Sequence, residues 1–465
     1  MTSLAISRPP ESRDIDAHSA VYTVGTLRYN RRQLVVLFFW LMWNDFSITL
    51  IEQIKNLGGF LMKDHGASFT QIAILGSVGG FITPWINPWV STWSDRHRGR
   101  YGRRRPFLFV ATPLFAFFLA AIPYMPDFYH HLLRFPSLAA PLGSLPMNGD
   151  AFFIGVCGLI SGLFNAVVLA IFSYLYWDVV PETVMGRFQS LSKIAALIAG
   201  LIWSFFLMGL YEHHVKVVFA GTAAFCLTIY LVSTWQIKEG EYPPPDLHEK
   251  GGILAPVRAY FVECFSQSYF LWVFVASLLF QLGNTGVFYQ TNYLHYDLNL
   301  DMGTLGWAQG WSQSVTAGFG LAFGFAIGTL TDRLKGVRLL APGYVIAALV
   351  SLASFFFVHD RWTFLVSIVL TNLINFALGI AIGAFTVEIF PWEKLGQFCS
   401  AQALFYQFIL NFLNPLAAVF FDHTHNNRLG YLWTALFYFL SALAYMKVYL
   451  NWKRRHGRPP VPHAG

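Results

Sequence analysis

Asp45 stands well inside an apolar run that begins at Leu34, and Thr49, Glu52 and Asn56 follow it in the sequence. Positions i, i+4, i+7 and i+11 share one face of a helix. The two carboxylates would stand about 10 Å apart along its axis. An acid at that depth in a bilayer costs several kcal/mol and is tolerated where it faces a cavity or a partner. Desolvation penalises the charged form, which suits a group that takes up a proton on one side of a membrane and releases it on the other. Asp45 and Glu52 are therefore the candidate proton-coupling residues. Each also has a quieter reading: Asp45 as half of a buried structural pair, Glu52 as the neutraliser of Lys55 at i+3.

Neutral amides and indoles form a second group. Trp85 and Trp89, then Trp307 and Trp311, are i,i+4 pairs; Asn87 lies within the first, and Gln309 and Gln313 interleave with the second. Gln281, Asn284, Asn372, Asn375 and Gln407 add amides to other apolar runs of the second half. Amides bond hydroxyls in either sense, and an aromatic face covers the C–H face of a sugar. With Asp45 and Thr49, these residues are the candidate substrate ligands for a polyhydroxylated solute. Interfacial tryptophan belts and amides bonding helix to helix are the competing explanations. An anionic substrate would call for buried Arg or Lys, which the apolar runs of the second half nearly lack.

Composition dictates what must hold such residues. The 465-residue chain is 55% hydrophobic and only 12% charged, against about 25% charged in soluble domains. Apolar runs of about 20 residues in lipid fold as helices. Hydropathy marks twelve: 34–57, 68–92, 106–125, 150–179, 187–210 and 216–235, then 270–293, 304–330, 337–358, 363–390, 397–420 and 430–451. The expected fold is an all-α membrane protein of two six-helix halves, 34–235 and 270–451. A Pro-rich linker (236–269) joins them, and tails 1–33 and 452–465 flank them. Arg31–Arg32, the six arginines between Arg96 and Arg105, Arg333, Lys335 and Arg338, and Lys453–Arg455 all fall on one side. The positive-inside rule makes that side, with both termini, cytoplasmic. Basic residues confined to short loops argue against nucleic-acid binding. Cys157, Cys226, Cys264 and Cys399 form no CxxC pair, so no metal site or disulfide framework is expected.

The halves repeat. Asp178, Pro181, Gly186, Phe188 and Ser190 recur 210 residues later as Glu388, Pro391, Gly396, Phe398 and Ser400, and Asp95 after the second run matches Asp332 after the eighth. A duplicated six-helix unit is the parallel repeat of one large transporter fold. Trp93–Pro106, with Asp95–Arg96, Gly102 and Arg103–Arg105 before Pro106, resembles the loop between the second and third helices of major facilitator transporters. Its Gly-Arg-Arg-Arg-Pro ending is most similar to the glycoside–pentoside–hexuronide:cation symporters and the sucrose-carrier-like proteins beside them. The resemblance implies a cytoplasmic gate at Asp95, Arg96, Gly102, Arg103, Asp178, Arg187, Asp332, Arg333 and Glu388. Lys193 is expected to neutralise Asp178 or Glu388.

In melibiose-permease-like members the acid matching Asp45 binds sugar, and two span-two carboxylates help hold Na⁺. Their counterparts here are Thr83 and Asn87, a departure that argues against Na⁺ and favours H⁺ coupling or plain facilitation; the proton-coupled sucrose-carrier branch fits this better. The sucrose carriers' span-four Arg has no match in Asn165–Ala170, which argues against sucrose itself. The expected protein is a monomeric, proton-coupled sugar or glycoside symporter of a bacterial inner membrane, without cofactor or metal, whose only other partner is lipid. A proton-coupled exporter of small organic metabolites is the rival. No nucleophile–base set or phosphate loop points to an enzyme.

Overall fold

Inside a bilayer the backbone has no water to bond, so apolar runs close their hydrogen bonds internally as helix. The computed structural model describes residues 22–24, 26–97, 99, 102–145, 147–240, 263–391 and 394–455. Its long helices in the first half are α1 (Arg31–Asp64), α2 (Phe69–Arg96), α3 (Arg105–Ala121), α4 (Gly149–Val179), α5 (Met185–Ile202) and α6 (Tyr211–Gln236). The second half has α7 (Ser268–Asn284), α8 (Met302–Leu334), α9 (Gly336–Phe357), α10 (Arg361–Ile389), α11 (Leu395–Thr424) and α12 (Leu429–Arg454). They match the twelve expected runs one for one.

Residues 185–236 form one apolar stretch of 52 residues. As a straight helix it would measure about 78 Å, far beyond the ~30 Å of bilayer hydrocarbon. A π-turn at Trp203–Leu207, a 3-10 turn at Met208–Leu210 and non-helical His214 (φ −137°, ψ 40°) break it into two crossings. α7 likewise continues through Gly286–Asn292 into a π-turn at Tyr293–Asp297. Capping boxes at Asn30, Ser68 and Asp360 fix where α1, α2 and α10 begin, since each side chain takes a backbone N–H that has no helical acceptor.

Two segments expected to be plain connections are structured. Tyr22–Val24 and Leu27–Tyr29 pair as an antiparallel hairpin that lies against Gly240, where an added Cβ would meet Thr26 and Leu27. Burial pushes the Tyr29 hydroxyl up to about 12. The 126–149 loop holds two short helices, Met125–Leu132 and Pro136–Gly143. Of the linker, 241–262 lies outside the described residues, as do 1–21 and 456–465 of the tails.

The helices alternate in direction, so the bundle has two ends. The terminal face carries the start of α1, the arginine loop and the end of α12; the opposite face carries the α1–α2, α7–α8 and α11–α12 turns. One apolar core lies wholly in the second half, built on Phe270, Phe274, Phe390, Phe398 and Tyr344. The larger one fills the first half and crosses the interface to Tyr293, Leu305 and Phe364.

Candidate functional site

The facing surfaces of the halves touch towards the opposite face. Phe81 of α2 packs on Phe408 and Phe412 of α11, at 6.0 and 4.9 Å between centroids. Phe60 of α1 meets Phe288 at 5.4 Å. Gly306 of α8 lies against the Ser204 carbonyl of the α5 span, and Gly310 against the Phe205 ring. Gln313 Nε2 donates to Ser204 Oγ at 3.2 Å.

Polar clasps close the rim. Asp422 of α11 accepts from Phe69 N, Thr70 N and Thr70 Oγ1 at 2.9, 2.8 and 2.6 Å. Glu212 of α6 accepts from Met302 N at 2.7 Å. Asp64 of α1 accepts from Tyr211 of its own half and from Tyr296 across the interface, at 2.8 and 2.6 Å. At the terminal face, by contrast, the ion pairs among the described residues stay within one half. Arg103 and Arg104 pair with Asp178 at 2.8 and 2.6 Å, and Lys394 pairs with Glu263 at 2.8 Å. That pair and Gln397 hold the Glu263 carboxyl below its usual range. Among the described residues, the polar clasps that join the halves lie towards the opposite face.

Between the halves lies a cavity of about 320 Å³, within the range of small-molecule sites. Gln53 and Asn56 of α1, Asn284, Thr285 and Thr291 of the seventh span and Gln309 of α8 give it polar walls; Trp203, Phe60 and Phe288 give it apolar ones. Asn284 is held from behind: its Nδ2 donates to Gln281 Oε1 at 3.0 Å and its Oδ1 accepts from Tyr438 at 2.6 Å. Of the amides singled out in the sequence, Asn284 and Gln309 line this cavity, and Gln281 positions the first.

The others are elsewhere. Gln313 binds the α5 span to α8, Asn372 Nδ2 donates to Ser312 Oγ within the second half, and Gln407 Nε2 reaches Asn411 Oδ1 at 3.5 Å. Asn375 is half-buried in α10, outside the cavity. Trp307 faces the opposite-face rim, packed edge-on against Trp362 in a hollow with Asp301 and Arg361. Trp311 is half-exposed beside Phe205, and Trp85, one turn beyond Phe81, is 79% exposed. The Asn87 side chain lies outside the described residues. Sequence reasoning missed Gln53, Thr285 and Thr291, whose polar side chains give no periodic signal in apolar helices.

Asp45 lies outside the cavity, within the first half. Tyr176 of α4 donates to its Oδ1 at 3.3 Å, while its Oδ2 is buried, with Ser192 of α5 beside the carboxylate. Lys193 of α5 acts on it electrostatically. Thr49 Oγ1 turns back to the Asp45 carbonyl at 3.1 Å, and Glu52 is exposed one turn before Lys55.

Of the gate residues, Gly102 has φ +100°, and an added Cβ would stand 3.0 Å from the Glu239 carboxyl carbon. A side chain there would meet both backbone strain and a clash. Glu239, just beyond the end of α6, accepts from the N–H groups of Arg103, Arg104 and Arg105 at 2.7–3.1 Å. It thus caps the positive start of α3. Glu388 does the same for α9 through Gly336 N and Val337 N, at 3.1 and 3.2 Å. Arg187 is exposed and does not pair with Asp178; Asp332 and Arg333 are not paired with each other across the gate, and Arg333 is exposed. The side chains of Asp95 and Arg96 lie outside the described residues.

The architecture is similar to that of solved transporters. A nucleoside transporter, solved as a point mutant, aligns with TM-score 0.63 at 12% identity, over 89% of this chain and 99% of its own. A bacterial homologue of the iron transporter ferroportin, in an inward-facing state, gives 0.62 at 14%, over 90% and 98%. An inward-facing bacterial homologue of the lysosomal transporter Spinster gives 0.60 at 13%, over 91% and 97%. No protein of curated function matches the sequence. The sequence model of the major facilitator superfamily matches residues 34–415; with its apolar helices, duplicated halves and central cavity, this chain is an integral membrane transporter belonging to that superfamily.

Proposed function

We propose that the protein carries a polyhydroxylated organic solute, a sugar or glycoside, by alternating access as a proton symporter. The observation that carries this reading is the cavity between the halves, where Gln53, Asn56, Asn284 and Gln309 offer amides beside the Phe60, Phe288 and Trp203 rings. Amides present donors and acceptors together, which suits a solute whose hydroxyls do the same. The set is neutral and rigidly backed at Asn284 by Gln281 and Tyr438.

Asp45 is the proposed proton carrier. Its buried Oδ2 has a site for a proton, and Ser192, Tyr176 and Lys193 stand by to stabilise the carboxylate when the proton leaves. The arginine-rich terminal face is read as cytoplasmic, so the clasps at the opposite face close the outer side, in a bacterial inner membrane. Transport then requires substrate and proton together to stabilise the passage between states, because a ligand shifts an equilibrium only by its differential affinity.

The test is uptake of radiolabelled sugars into proteoliposomes under an imposed proton gradient, wild type beside Asp45→Asn. Wild type concentrates a sugar when the exterior is acid, and the variant only equilibrates it. Equal accumulation by both would remove Asp45 from coupling. Movement of apolar amines or dyes with no sugar flux would favour the exporter reading.

A further inference from the structure

The cavity between the halves has two others nearby. A second cavity of about 420 Å³ inside the first half shares Asn56 and Phe288 with it. A third, of about 350 Å³ between α1, α2 and α4, shares Lys55, Thr83 and Gly162 with the second. Lys55 lines both of these. Its ammonium has no hydrogen-bond or ion-pair partner among the described residues, and Glu52, one turn earlier, acts on it only at a distance. Across the third cavity stands Asn165, fully buried, with neither Nδ2 nor Oδ1 bonded. Ser173 and Thr83 complete its polar wall, although their hydroxyls are turned to the carbonyls of Ala170 and Gly79.

Lys55 is exposed to this opening, and a buried amide left unsatisfied is costly unless something enters to satisfy it. One ammonium and one amide N–H₂ match the single charge and paired oxygens of a carboxylate. A doubly charged phosphate would call for a second cation or a guanidinium fork. We propose that Lys55 and Asn165 are the seat of a carboxylate on the transported solute. The substrate is then an organic acid whose charged end lies in the first half and whose hydroxyls reach the amides around Asn284, with Asn56 at the junction. This rests on the reading of the Asn284 cavity as a hydroxyl-binding site, but the seat itself is tested separately.

The experiment is calorimetric titration of the purified full chain in nanodiscs with gluconate, glucose and lactate, for wild type, Lys55→Gln, Lys55→Arg, Asn165→Leu and Asn284→Ala. The proposal expects gluconate to bind at least tenfold more tightly than glucose. It expects Lys55→Gln to abolish that advantage without changing glucose affinity, and Lys55→Arg to keep most of it. Should Lys55→Gln fail to fold, Asn165→Leu must show the same selective loss. If gluconate and glucose bind alike and neither substitution separates them, the carboxylate seat is wrong while the sugar reading survives. Lactate binding as tightly as gluconate, lost in Lys55→Gln but indifferent to Asn284→Ala, would uphold the seat and overturn the sugar. No binding of any of the three at millimolar concentration overturns both.

Discussion

Glu212 and Asp422 stand 210 residues apart, the same interval that links Asp178 to Glu388, and each closes the start of a helix in the other half. Glu212 of the first half accepts from Met302 N of α8, and Asp422 of the second accepts from Phe69 N and Thr70 N of α2. The internal repeat has thus produced a two-fold lock in which each half supplies one acid and one positive helix end.

Breaking that lock should favour the conformation open to the opposite face. Hydrogen bonds to a charged group contribute about 1.5–3 kcal/mol each, and about 1.4 kcal/mol is a tenfold change in population. Asp422→Ala with Glu212→Ala is expected to raise labelling of a cysteine placed at Phe288 from the opposite face by about tenfold or more. Unchanged labelling would mean that the aromatic contacts below hold the interface by themselves.

A deeper link is Gln313 to Ser204. In a double-mutant cycle of Gln313→Ala and Ser204→Ala the coupling should be about 1 kcal/mol, read as a shift in the same labelling equilibrium. Asn284→Ala behaves differently: it should raise KM for the transported solute about tenfold and leave the labelling equilibrium of the empty protein as it was.

Asp178 holds two arginines in a nearly dry setting, with side-chain exposures of 16% for the acid and 13% and 7% for Arg103 and Arg104. Removing a shared partner of buried charges costs up to about 3–5 kcal/mol. Asp178→Asn should therefore lower the melting temperature in detergent more than Arg187→Gln, whose side chain is exposed; equal effects would contradict the pairing seen here.

Asp301 caps α8 by accepting from Thr304 N and Thr304 Oγ1 at 2.9 and 2.6 Å, and the Thr304 hydroxyl holds its carboxyl below the usual range. A depressed acid adds stability above its unfolded pKa and loses it as pH falls through the folded one. Asp301→Ala should thus lower the melting temperature slightly at neutral pH, by about 1 kcal/mol or less for so exposed a cap. The gap to wild type should close below the ordinary carboxylate range. A gap that persists at low pH would point to lost packing instead.

The number and order of the helices were legible because charge and apolar length are absolute requirements of a bilayer, whereas ends were not: α1 runs on to Asp64, seven residues past the expected end. Which way a polar side chain points was not. In a soluble helix the apolar stripe marks the inside, but lipid and protein interior are equally apolar, so Trp307 and Gln309 carry no label for rim and cavity. Asn284 and Gln309 could be singled out as amides in apolar runs; Asn372 and Gln313 carried the identical signal and bind neighbouring helices instead. The cap by Glu239 was hidden for another reason: its charge sits in what reads as linker, and its partners are main-chain N–H groups that any residue would supply.

The seam between the α5 span and α8 has a mechanical consequence. Gly209 lies against the Cα of Gly303, Gly306 against the Ser204 carbonyl, and Gly310 against the Phe205 ring, beside the π-turn at Trp203–Leu207. Side chains that interlock like gear teeth would have to be lifted apart before two surfaces could turn. Here bare backbone rests on bare backbone at two of the three contacts, so the seam works as a rocker bearing: the halves can tilt about it while staying in contact, and the leverage is delivered to the far ends of the bundle.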